Sequence, residues 1–278
     1  MPGSPEADLQ ERFSSFQVLL QDGSYDVDAS LFAVVEDQPA GLLVTTTSVE
    51  GSQLELVAVR QDLRRHGLGR ALLAEAVSAL RSKGSHTLRA GTVSSRVPAA
   101  VGFLSALGFV AGGCGSLRMW RRLNGELPAC QVPSGYEVRA LRPGEEAAWV
   151  ALKNDCFPES TPWTLEQFKK ELSSAACFDF DRMLVATRDD RLAGMTIAWE
   201  ADYGEPAAGL IHWVGVHPSD RGVGLGKTLN TMALDQLAAR GYAEAWLNTS
   251  RDRVAAVGLY ESLGFEIYRE LDRYELHL

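Results

Sequence analysis

Two runs of glycine and arginine in this chain are spaced to hold an anion. Arg221-Gly222-Val223-Gly224-Leu225-Gly226-Lys227-Thr228 follows an apolar stretch, Leu210 to Val216. Arg64-Arg65-His66-Gly67-Leu68-Gly69-Arg70 follows a similar stretch, Leu54 to Val59. After the first run, Leu229, Met232, Ala233, Leu237 and Ala238 mark one face of a helix. Each run thus reads as strand, glycine turn and helix start. Glycine lets backbone approach a ligand closely, and first-turn N–H groups lack an internal acceptor. Such a turn binds phosphate.

A Walker A loop needs Gly, four residues, then Gly-Lys-Ser/Thr. Gly222 stands one residue too near Gly226-Lys227-Thr228, and no apolar strand ends in a convincing Mg²⁺-binding Asp. A second phrase lies downstream. Glu244 to Ser250 reads as a strand, and Val254 to Phe265 as a short helix closed by Gly264. Tyr260 on that helix can give up a proton. His212 lies nine residues before Arg221, and Glu55 lies nine before Arg64.

Arg221-x-x-Gly224-x-Gly226 followed by Leu259-Tyr260-x-x-x-Gly264-Phe265 resembles the GCN5-related N-acetyltransferases, and in particular their tandem bacterial members. The resemblance covers nearly the whole chain, less securely before residue 30. It implies acetyl-CoA as co-substrate and transfer of an acyl group to a primary amine of a small molecule or peptide. It also implies roles. Arg221, Gly222, Val223, Gly224, Gly226, Lys227 and Thr228 would cradle the pyrophosphate. Val214, Gly215 and Val216, on a central strand splayed from its neighbour, would pair with the pantetheine arm, and Asn248 would assist. Tyr260 would protonate the departing thiolate. His212 is the expected base and Glu200 its rival, with a merely structural strand histidine as the plain reading. Arg253 departs from the family, where many relatives carry Asn. The alternative function is a non-catalytic acyl-CoA binding or sensor module, which needs the cradle but neither proton-transfer group.

The elements that must position these groups occur twice. From Arg64 to Phe109 and from Arg221 to Phe265 the same strand, loop, helix, strand and helix recur. The expected class is α/β (α+β). Two tandem domains are expected, each a mixed, largely antiparallel sheet flanked by helices, the first truncated at its start. The boundaries are residues 1–127, a Pro/Gly-containing linker at 128–135, and residues 136–278. In the first domain Val57, Val59, Arg64, Arg65, Gly67, Gly69 and Arg70 form the corresponding cofactor-binding set. Leu104 aligns with Tyr260, so that copy is expected to be degenerate. A helix is expected over residues 5–21. Leu117 to Leu123 reads as the last strand of the first half, and Tyr268 to Leu278 as the closing arm of the second.

The 278 residues are 46% apolar and 23% charged, a globular composition. Net charge is −9, most of it in the second half, which argues against nonspecific nucleic-acid binding. An acidic half also suits a cationic amine, although a solvated surface explains it equally well. No run approaches a membrane span and no leader is evident, so the expectation is a cytoplasmic protein, monomer or homodimer. Cys114, Cys130, Cys156 and Cys177 lack metal spacing, and no metal is expected.

Overall fold

The structure is a computed structural model that describes residues 25–48, 51–94, 97–112, 115–125, 127, 129, 131–201 and 208–278. The expected helix over residues 5–21 lies outside them. The chain divides into two units.

In the N-terminal unit, β1 (Leu31–Val35) and β2 (Gln38–Ser48) form a hairpin. Its turn residues, Glu36 and Asp37, have φ of 51° and 58°, the left-handed backbone that matches strand twist in a tight hairpin. β3 (Gly51–Val59) runs antiparallel to β2. α1 (Leu68–Ser82) then leads to β4 (Thr87–Ser94). β4 is parallel to β3, but they pair only at Ser52↔Leu88 and Gln53↔Arg89. α2 (Pro98–Ala106), with proline in its first turn, and β5 (Val110–Ala111) complete the first run. The core joins Leu43, Leu72, Leu80, Leu88, Leu104 and Phe109.

The C-terminal unit contains β6 (Ser116–Arg122), β7 (Glu137–Ala140), α3 (Glu146–Cys156) and α4 (Leu165–Phe168). Thr164 caps α4 in a reciprocal box with Gln167. β8 (Met183–Arg188) and β9 (Arg191–Ala201) form a hairpin whose turn, Asp189 and Asp190, is again left-handed at φ 50° and 59°. β10 (Ala208–Val216), α5 (Leu225–Ala239), β11 (Glu244–Ser250), α6 (Val254–Ser262) and β12 (Glu266–His277) follow. The strand order within this unit is β7-β8-β9-β10-β11-β6.

The closing strands are exchanged relative to the expectation. Residues of β6 from Arg118 onward belong to the C-terminal unit, and Arg269–Leu278 belong to the N-terminal unit. There, Leu271 to His277 run antiparallel to β4, and Tyr274 joins the core. β5, only two residues long, is too short to cover β4, whereas β12 has twelve. Among the described residues, no helix is long and apolar enough to cross a membrane.

Candidate active site

The two glycine loops share a backbone. Gly224 caps α5 at φ 91° and Gly67 caps α1 at φ 88°, neither offering a side-chain cap. Both are left-handed with open space around the Cα. The first N–H groups of a helix have no intrahelical acceptor, which suits an anion; the Lys227 N–H already donates to the Gly224 carbonyl at 3.0 Å. The position two residues earlier is left-handed too, Gly222 at 85° and Arg65 at 70°. In each loop the leading arginine turns back on its own strand. Arg221 Nε donates to the Val216 carbonyl at 3.0 Å, and Arg64 Nε to Val59 at 2.9 Å. These arginines hold the turn in shape as well as bringing charge.

The central strands also share a splay. β10 and β11 pair in parallel only at Gly209↔Ala245 and Leu210↔Trp246. Beyond Leu210 that edge of β10, including Val214, Gly215 and Val216, runs free of β11. In the N-terminal unit Val57 and Val59 lie likewise beyond the last β3–β4 pair. β10 additionally carries a bulge between His212 and Gly215 opposite β9. Trp213 sits in it at φ 49°, a backbone state that a bulky residue holds only under packing. The packing is visible. Trp213 meets Phe157 and Trp163 edge-on, with centroids 5.5 and 4.8 Å away. The buried Lys153 ammonium lies 5.2 Å from the Trp163 and Trp213 rings. It also donates to Ser160 Oγ and the Thr161 carbonyl, and burial lowers its pKa. Nothing in the sequence marks Trp213 as left-handed.

Tyr260 lies on α6, buried at 6% exposure and edge-on to Phe265. Burial pushes its pKa up to about 12, with the Arg253 charge pulling the other way. The phenol is thus protonated at neutral pH, the state an acid must start from. Leu104 occupies the same backbone position in α2. The Phe265 N–H donates to the Tyr260 carbonyl at 3.0 Å, and the Phe109 N–H to Leu104 at 3.1 Å.

The two expected bases lie on opposite faces of the sheet. His212 is paired with Ile197, a core residue on the α3 side. Glu200 is paired with Gly209, where an added Cβ would come 2.9 Å from Leu237 of α5. Burial pushes the His212 imidazole down to about 4, so it is neutral at pH 7. Glu200 accepts a hydrogen bond from the Tyr242 hydroxyl, which also accepts from Arg182 at 3.3 Å. Its carboxylate is already engaged in that hydrogen bond.

Other expected site residues divide by environment. Val223 is exposed, and Lys227 and Gly226 lie in the first turn of α5. Thr228 is buried and donates to the Gln131 carbonyl at 2.8 Å, which ties the linker to α5. Asn248 accepts from Arg118 Nε at 3.3 Å. Gly69, in the first turn of α1, packs against Phe103 and Val59, while Arg70 is exposed. Gly215 is a packing glycine as well, since a Cβ there would come 3.0 Å from Cys156.

Asp220, one residue before the C-terminal loop, was not legible in sequence. It is 1% exposed. Its carboxylate takes two bonds from Arg191 at 2.9 and 3.2 Å, one from Tyr136 at 2.9 Å and one from Ser219 at 2.9 Å. Burial raises its pKa, but these donors outweigh burial and hold it below the usual carboxylate value. The loop thereby hangs from β9 and β7. Leu63 stands at the matched position of the N-terminal loop, where the turn carries the exposed Arg60–Asp62 pair and no buried carboxylate among the described residues. Among the described residues, no group of three or more His, Cys, Asp and Glu is gathered as metal ligands would be.

A splayed central strand ending in a glycine loop at a helix start is present twice, the arrangement of a tandem acyltransferase-type fold. The model of the acetyltransferase (GNAT) family matches residues 4–109 and 146–265, and the chain belongs to that family. It is 34% identical over 257 residues to a mycothiol acetyltransferase of Acidothermus cellulolyticus, covering 84% of this chain and 76% of the relative. It is 36% identical over 217 residues to one from Thermomonospora curvata, covering 76% and 70%. Among solved structures, a GCN5-related N-acetyltransferase from Sphaerobacter thermophilus superposes with a TM-score of 0.77 at 20% identity, over 95% of this chain and 85% of that one. A tandem GNAT protein from the clavulanic acid biosynthesis pathway gives 0.70 at 19%, over 96% and 94%. The protein is an acetyltransferase of a family that uses acetyl-CoA.

Proposed function

We propose that the C-terminal unit transfers the acetyl group of acetyl-CoA to a primary amine on a small molecule or peptide. The observation that carries this is the juxtaposition, in one unit, of an open glycine cradle, a splayed strand and a protonated buried tyrosine. The pyrophosphate sits on the first turn of α5, and the pantetheine arm lies along Val214 to Val216. The amine, freed of its proton by His212 directly or through water, attacks the thioester carbonyl carbon. The C–N bond forms, the C–S bond breaks, Tyr260 gives its proton to the leaving thiolate, and the acylated nitrogen loses its extra proton to restore the phenol, directly or through water. The chain's similarity to mycothiol acetyltransferases supports an acceptor related to mycothiol.

The test is free-thiol release from acetyl-CoA across a panel of small-molecule amines and peptides, with mass spectrometry of the product. The reading expects acceptor-dependent thiol release and one acetyl group on nitrogen. Binding of acetyl-CoA without acceptor-dependent release across the panel would contradict it.

A further inference from the structure

Arg253, where the sequence departs from its family, makes a contact that the reaction as described does not use. It is the N-cap residue of α6. Its guanidinium stands 5.0 Å over the Phe157 ring and donates to the Glu159 carboxylate. The two partners belong to opposite sides of the sheet. α6 packs beside the start of α5, where a Cβ on Gly226 would come 3.5 Å from Leu259. Phe157 and Glu159 follow α3, whose Cys156 packs against Gly215 from the other face. Between them lies the gap left when β10 and β11 stop pairing at Leu210. Arg253 therefore reaches across the open end of that gap.

The receiving side is rigid. Asn154 holds the Trp163 backbone through both its amide N–H group and its carbonyl, at 3.0 and 2.8 Å. Lys153 pins Ser160 and Thr161. Phe157 itself leans on Trp213 in the bulge. The bridging side chains, by contrast, are accessible, Arg253 at 41% and Glu159 at 60%. An accessible ion pair of this kind is weak and exchanges readily. A weak bond between rigid walls is suited to opening and closing. The N-terminal unit has Val97 at the corresponding cap of α2 and so carries no such cation.

We propose that Arg253, Phe157 and Glu159 form a clasp that gates the cofactor cleft of the C-terminal unit, opening to admit the acyl-CoA and closing again over it. The proposal rests on the reading that this cleft takes the donor. A gate raises the barrier in both directions, so loosening it accelerates binding and release together and moves their ratio little.

The experiment is stopped-flow binding of acetyl-CoA to the full chain carrying Gly67→Glu, which silences the N-terminal loop. Added to that background are Arg253→Ala, Glu159→Gln, or the exchange Arg253→Glu with Glu159→Arg. In each single variant, the association and dissociation rate constants both rise about three- to tenfold, the range an exposed ion pair and a cation–π contact can supply. The charge exchange re-forms the ion pair without the cation–π contact and brings both rates partway back to the parent's, which a merely structural role would not do. Rate constants within twofold of the parent overturn the clasp, as does a rise in dissociation alone, which would mark Arg253 as a direct donor contact. A further Gly224→Glu arm separates the two readings. Donor binding indifferent to Gly224 overturns the cofactor reading and the clasp with it. Binding that requires Gly224 but ignores Arg253 and Glu159 overturns the clasp alone.

Discussion

The two glycine loops differ less in their own backbone than in what surrounds them. Both caps are left-handed glycines, both leading arginines bond back to the strand end, and both central strands splay after two parallel pairs. Around the C-terminal loop stand a buried carboxylate hub, a tyrosine on the following helix, and an aromatic wall on α3 and the segment after it. At the matched positions of the N-terminal unit stand Leu63 and Leu104. An anion cradle needs only local backbone, so it survives duplication intact. Proton transfer needs particular side chains in a particular environment, and a single substitution removes it.

The largest effect that would break this comparison is on the tyrosine. Tyr260→Phe lowers kcat by about 10²–10⁴ with little change in acetyl-CoA affinity, the range for a positioned acid. Leu104→Phe leaves kcat unchanged. A near-parental rate in Tyr260→Phe reduces that residue to packing.

The next effect sharpens the difference between the loop supports. Asp220→Ala leaves Arg191 and Tyr136 without their acceptor and destabilises the fold by about 2 kcal/mol, less than a fully buried pair because Arg191 is half exposed. It also weakens donor binding about tenfold, or ~1.4 kcal/mol of loop ordering. Denaturant melts and calorimetry read both. Leu63→Ala has no comparable network to break, and an equal loss of donor affinity there would erase the distinction.

A further effect is confined to acid. An unfolded chain protonates His212 near 6.5, whereas the folded one waits until about 4. Between those values the unfolded state binds more protons, so stability falls as pH drops through that window. His212→Gln removes this component, and thermal melts from pH 7 to pH 4 then flatten relative to the parent. If the two melting curves fall in parallel, His212 is not held neutral by burial.

Much of this arrangement was legible in the sequence, because it is written in local signals. Gly264 announced a helix end, and the doubled loop a repeat. The rest depends on long-range partners. The exchange of β6 and β12 follows from which edge each strand reaches, and no periodicity encodes that. Trp213 has the composition of an ordinary strand residue, and only its aromatic neighbours hold it left-handed. Asp220 reads as a turn residue until Arg191 and Tyr136 are brought to it from elsewhere in the chain. The rivalry between His212 and Glu200 could be framed from sequence, but sheet pairing was needed to put them on opposite faces.

The central claim is that one cradle serves catalysis and the other does not. Acceptor-dependent thiol release from acetyl-CoA, measured in the full chain carrying either Gly67→Glu or Gly224→Glu, tests it most directly. Each substitution puts a strained, negatively charged side chain into one loop alone. The account predicts turnover close to the parent's for Gly67→Glu and none detectable for Gly224→Glu. The reverse pattern, or equal losses in both, would contradict it.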